Sequence, residues 1–152
     1  MRSKVPLAVV VFLSVTTIPP CAAGADNKPP DLASIQALQV RASQAQPREQ
    51  CFLYAQLVHQ MTELSLRQYA AGDVEKATDM LRQVRQLAQK IHLSMARDDK
   101  RVKDAEILLS RTSFRLNEML HSSSFEDRPL FEAALTDVNQ AQNEAMMQVF
   151  HK

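Results

Sequence analysis

The stretch MARDDKRVKDAE, Met95–Glu106, decides how this chain folds, because eight of its twelve residues are charged. Such a run is a linker, a catalytic cluster or the solvated side of a helix. The flanking periodicity separates the three. Apolar residues recur on both sides at alternating steps of three and four. One set is Val74, Leu81, Ala88, Met95, Val102, Leu109 and Leu116. The other is Ala77, Val84, Ile91, Asp98, Ala105, Thr112 and Met119. This heptad spacing keeps one face of a helix apolar, and only Asp98 and Thr112 are polar within it. The register crosses the charged run without a slip, which a linker has no reason to preserve. Asp99 with Lys103, and Lys100 with Asp104, are four apart, the spacing at which opposite charges meet along a helix. The reading is one helix over about 73–121, roughly 70 Å long at 1.5 Å per residue. Asp98 on the seam is costly if buried unpaired, so it is exposed, paired, or at a bend. A bend there gives the alternative arrangement, four similar helices in a compact bundle.

Outward from this segment the chain has little punctuation. After Ala25 the only glycine is Gly72, and the only prolines are Pro29, Pro30, Pro47 and Pro129. Ala, Leu, Gln, Glu, Arg and Met, all good helix formers, dominate between them. The predicted class is all-α. Asp31 caps a first helix over about 31–45, with Leu32, Ile35, Leu38 and Ala42 on one face. Pro47 starts a second, about 48–71, whose apolar stripe is Tyr54, Leu57, Val58, Met61 and Leu64, with Cys51 near its start. Gly72 suits the left-handed position that ends a helix, and Asp73 caps the next. A last helix over about 128–150 has Asp127 as its cap, Pro129 in its first turn, and Phe131, Leu135, Val138, Ala141, Ala145 and Val149 along one side. The second helix is predicted to run antiparallel to the first half of the long helix, and the last helix antiparallel to its second half.

The N-terminus predicts export. Arg2 and Lys4 precede an apolar run, Val5–Ile18, and Ala23-Gly24-Ala25 fits a small-x-small cleavage pattern. The expected layout is a signal peptide over 1–25, a disordered spacer over 26–30 and one helical domain over 31–152, periplasmic or secreted. The rival is an uncleaved anchor, although the run is shorter than the roughly 20 residues of a membrane span. Pro20 before Cys21 argues against lipidation, which needs a small residue there. With Cys21 removed, Cys51 is alone, a buried small hydrophobe or half of an intermolecular disulfide. Eighteen Lys and Arg face seventeen Asp and Glu; without Arg2 and Lys4 the net charge is −1. That balance argues against nucleic-acid binding.

Site chemistry is sparse. The histidines are His59, His92, His121 and His151, with no pair three or four apart. His59 and Glu63, four apart on the second helix, could share a ligand, and Cys51, His59 and His92 could approach across a bundle. Cys51 and His59 make a poor nucleophilic dyad, because eight residues is about 12 Å of helix. Adjacent Asp98 and Asp99 diverge by about 100° around a helix, so they form no acidic pair. One glycine cannot build a phosphate-cradling loop. Met146-Met147 read as core filling, with thioether copper binding as the sharper option. No catalytic, cofactor or metal residue is assigned, and no enzyme is expected.

The stretch LYAQLVHQMTELSLRQYAAGDVEKATDMLRQVRQLAQKI, Leu53–Ile91, resembles one tetratricopeptide unit in its helix, Gly-Asp turn and following Glu-x-Ala helix; this implies a helical hairpin. LTDVNQ, Leu135–Gln140, is close to the Leu-Thr-x-x-Gln motif of small periplasmic stress chaperones. YAAGD, KRVKDAEILLSRTSFRLNEML and SFEDRP together resemble uncharacterised small secreted bacterial helical proteins, which implies export and a helical layout but no activity. The expected function is an exported, non-enzymatic protein that acts through a protein partner, a second copy or the envelope, chaperone- or scaffold-like. The alternative is a bundle that binds a metal or small ligand. No nucleic acid and no stable membrane span are expected.

Overall fold

The computed structural model describes residues 29–94 and 101–150, the side chains of 92–94 excepted. The predicted signal, Cys21, most of the spacer, Met95, Asp98, Asp99, His151 and the His92 side chain lie outside that description. Five helices are formed: α1 (Leu32–Gln44), α2 (Pro47–Ala70), α3 (Val74–Ser94), α4 (Val102–Ser122) and α5 (Arg128–Phe150). The described residues contain no strand. The chain is an all-α bundle.

Local chemistry explains the boundaries. The Asp31 carboxylate accepts the Ser34 N–H at 2.8 Å, while the Ser34 hydroxyl oxygen accepts the Asp31 N–H at 3.1 Å. This reciprocal capping satisfies donors that α1 itself cannot use. Pro47 sits at the start of α2, where a missing N–H is harmless. At the other end Gly72 has φ +87°. Asp73 N–H reaches the Gln68 carbonyl at 2.9 Å and Gly72 N–H the Tyr69 carbonyl at 3.0 Å. This paired closure of the last turn needs a left-handed residue, which glycine supplies without strain. Asp127 precedes α5 as predicted. The hydroxyls of Ser124 and Tyr69 hold its carboxylate at 2.7 and 2.9 Å.

Helices α2 to α5 stand at the corners of a square. α2 packs against α3 and α4, and α5 packs against the same two. Among the described residues the backbones of α3 and α4 do not pack together, and α2 reaches α5 at one end, where the Tyr69 ring meets Phe131, so these pairs are diagonal. The turn at Ala71–Asp73 makes α2 and α3 an antiparallel hairpin, and the turn at Ser123–Asp127 does the same for α4 and α5. α2 and α4 run parallel. Phe52 meets Arg101, His59 meets Thr112, Glu63 meets Arg115, and Tyr69 meets Ser124, in rising order along both helices. The Arg85–Asp137 ion pair, at 2.7 Å, joins α3 to α5. Among the described helices α1 packs on α2 alone.

The single long helix over 73–121 is therefore not formed, and the compact bundle is. The Ser65 hydroxyl donates to the Ala77 carbonyl of α3, and His59 bonds Thr112 of α4. Ser65 and His59 are about 9 Å apart along α2, whereas Ala77 and Thr112 would be about 50 Å apart on a straight rod. α3 and α4 must lie side by side. The heptad positions nevertheless describe the core well. Ala77, Leu81, Val84, Ala88, Ile91, Val102, Ala105, Leu109, Thr112 and Leu116 are all buried, Met119 is partly so, and Val74 is exposed. A heptad records which side of each helix meets the bundle axis, not whether two helices are one.

α2 is buried over a much wider arc than its predicted stripe. Phe52, Leu53, Ala55, Thr62, Ser65 and Leu66 are buried in addition to Cys51, Leu57, Val58 and Met61, whereas Tyr54 and Leu64 are only partly covered. Three helices surround α2, so no single stripe describes it. Ile35 and Ala42 of α1 are buried, but Leu32 is exposed. On α5, Phe131, Ala134, Val138, Ala141 and Ala145 form the core, with Leu135 and Val149 packed at its edge. Met146 and Met147 are exposed rather than core filling. Among the described residues the one cysteine, Cys51, is fully buried, as a small hydrophobe in the core.

Candidate binding site between α2 and α4

Two parallel helices with their apolar faces turned inward leave a furrow on the outside. Along the α2–α4 seam polar side chains close it at intervals. Near the start of both helices the Arg101 guanidinium lies over the Phe52 ring, 3.4 Å from its centroid, a cation–π contact. Midway, His59 Nδ1 and Thr112 Oγ1 are 3.0 Å apart. One turn on, Arg115 Nε donates to Glu63 Oε1 at 3.0 Å and Arg115 Nη1 to Glu118 Oε2 at 2.7 Å.

The Thr112 hydroxyl has one proton and donates it to the Leu108 carbonyl at 2.8 Å. Towards His59 it can only accept, so the ring carries its proton on Nδ1 and leaves Nε2 bare. Burial lowers the pKa of His59 below 6.5; Glu63 opposes this, and the Arg111 and Arg115 charges add to it. The neutral ring is thus the form held at pH 7. Arg115 is the reverse case: its bonds to Glu63 and Glu118 raise its pKa further.

His59, Glu63, Ser110, Arg111, Phe114 and Arg115 line an open cleft of about 450 Å³. A second cleft of about 380 Å³ continues along the seam, between Leu66, Arg67 and Ala70 of α2 and Arg115, Glu118, Met119 and Ser122 of α4. Arg115 belongs to both. Arg111 makes no ion pair among the described residues. Phe114 is 62 % exposed, so its ring forms an apolar wall rather than a core contact.

His59 and Glu63 do share this cleft, but Thr112 and Arg115 engage them separately. Cys51 is buried in the core two turns from His59 and does not join it. His121 is exposed in the last turn of α4. Among the described residues no three or more His, Cys, Asp or Glu side chains are placed to hold a metal. Sequence reasoning missed Ser110, Arg111 and Phe114. It did mark Thr112 as the polar break in the seam, and a polar residue on a core face asks for a partner.

No protein-family model matches the chain, and neither a curated protein nor a solved structure is significantly similar to it. Fold and furrow define a class by themselves: a four-helix bundle with one added helix and a solvent-open cleft between two parallel members. None of its described helices is long and apolar enough to cross a membrane.

Proposed function

We propose that this is an exported, non-enzymatic protein that binds other proteins or envelope components through the outer face of α4, in a chaperone- or scaffold-like role. One observation carries the reading. Ile107 and Phe114 are seven residues apart on α4 and are 39 % and 62 % exposed. Positions seven apart return to the same side of a helix, so α4 bears an outer apolar stripe as well as its inner one. Exposed large apolar side chains that cluster mark interaction surfaces, and a heptad-spaced pair suits a partner helix laid alongside. Export rests on Arg2, Lys4, the Val5–Ile18 run and Ala23-Gly24-Ala25.

The test places a photo-crosslinking residue at Phe114 in exporting cells and measures the mass of the purified mature protein by sedimentation. Discrete crosslinked products, or self-association, are expected. Ile107→Asp should remove them without changing the melting temperature. A mature chain that stays monomeric and forms no discrete product at Phe114 sinks the reading.

A further inference from the structure

We propose that the cleft between α2 and α4 binds a small organic acid that carries an apolar body and a hydrogen-bond donor. Three features of the cleft select these three properties.

The charge comes from Arg111. Arg115, the other cation of the cleft, is held by Glu63 and Glu118. Arg111 has no such carboxylate among the described residues. With Glu63 and Glu118 both gathered on Arg115, Arg111 is the guanidinium of the cleft left open, and a guanidinium takes a carboxylate through paired N–H donors. The apolar body is asked for by Phe114, whose ring stands largely in solvent at the cleft wall. The donor is asked for by His59. With Nδ1–H committed to Thr112, the ring's remaining polar atom is the bare Nε2, a fixed acceptor.

These groups are held before any ligand arrives. Thr112 fixes the ring orientation of His59 through its own bond to the Leu108 carbonyl. The double ion pair of Arg115 fixes the far wall. Prior ordering of this kind lowers the entropy lost on binding. An apolar concavity with a few converging polar groups is also the usual form of a small-molecule site. Glu63 is turned to Arg115, from which its Oε1 accepts, and not to Arg111. The site shares Phe114 with the outer stripe of α4 and adds to it Arg111 of α4 and His59 of α2, which Ile107 does not join.

The experiment titrates the full-length mature protein with three probes that share one aromatic body: 4-hydroxyphenylacetate, phenylacetate and tyramine. Calorimetry gives the affinities. The side-chain 15N resonances of His59 report on Nε2 without any substitution. The hydroxy acid is expected to bind roughly fivefold to tenfold more tightly than phenylacetate, the worth of one net hydrogen bond. Tyramine, with the donor but a positive charge, should not bind. The bare-nitrogen resonance of His59 should move with the hydroxy acid and stay with phenylacetate. Arg111→Gln should weaken both acids on the order of tenfold, with its melting temperature checked against the parent. The proposal is overturned if tyramine binds as well as the acids, or if neither acid saturates by about 10 mM. Equal affinity of the two acids with an unmoved His59 resonance overturns it as well.

Discussion

His59 Nδ1 and Thr112 Oγ1, 53 residues apart in sequence, meet at 3.0 Å midway along the seam between α2 and α4. Thr112 is fully buried, and its hydroxyl both donates to Leu108 and accepts from the imidazole. Thr112→Val keeps the shape and removes the acceptor, which leaves the His59 N–H unpaired. Urea unfolding should show a loss of about 1–3 kcal/mol. Thr112→Ser keeps the hydroxyl and loses one methyl, a loss of about 0.8 kcal/mol. A valine variant as stable as the serine variant would count against the bond.

The same histidine gives the fold a pH dependence. Burial holds its folded pKa below 6.5, so the unfolded chain takes up the proton first as pH falls. The contribution of His59 is intact above pH 6.5 and is lost as pH drops from 6.5 through the lower folded value. Calorimetry at about pH 7.5 and about pH 5.5 should show a lower melting temperature in acid, with a smaller drop for His59→Gln. Equal drops in the two proteins would assign the effect to other groups.

Thr62 lies fully buried on α2, and among the described residues its hydroxyl has no hydrogen-bond partner. A buried polar atom without a partner carries a desolvation penalty. Thr62→Val replaces that hydroxyl with a methyl of similar size. The variant should be as stable as the parent or more stable by up to about 1 kcal/mol in urea unfolding. A clear loss would reveal a partner for the hydroxyl.

Tyr69 closes the end of α2 onto the turn between α4 and α5. Its hydroxyl donates to Asp127 Oδ2 at 2.9 Å and accepts the Ser124 N–H at 3.0 Å. Its ring meets Phe131 edge-on, with centroids 5.2 Å apart. Tyr69→Phe keeps the ring and strands the Ser124 N–H. A loss of about 1–2 kcal/mol is expected, with faster amide exchange at Ser124 than elsewhere in the bundle. Unchanged exchange at Ser124 would refute this role.

The helices and most core positions are legible in the sequence because each depends on local chemistry. Asp31, Pro47 and Gly72 mark boundaries through capping and backbone freedom, and each boundary falls within a residue or two of its predicted place. Leu81, Val84, Leu109 and Leu116 reveal a buried face through spacing alone. What spacing cannot reveal is which helix faces which. A seven-residue repeat reads the same through a straight helix and through two helices side by side, so spacing alone favours the rod over 73–121. Phe52, Leu53 and Leu66 were overlooked for a related reason: α1, α3 and α4 bury different sides of α2, which blurs any stripe. The cleft was the least legible part. Arg111 and Phe114 look like ordinary surface residues until α2 and α4 are known to be parallel neighbours.

The diagonal placement of α3 and α4 has a consequence for the whole molecule. Apart from α1 on α2, every contact between described helices lies either inside the α2–α3 or α4–α5 hairpin or between the two hairpins. Only the stretch between Ser94 and Val102 ties one hairpin to the other along the chain. His59–Thr112, Glu63–Arg115, Tyr69–Asp127 and Arg85–Asp137 all cross the junction and set the register of the halves. The monomer is in this sense a complex of two hairpins on one tether. The two halves meet through side chains as two partners do, so the unfolding of the chain is a dissociation as much as a melting.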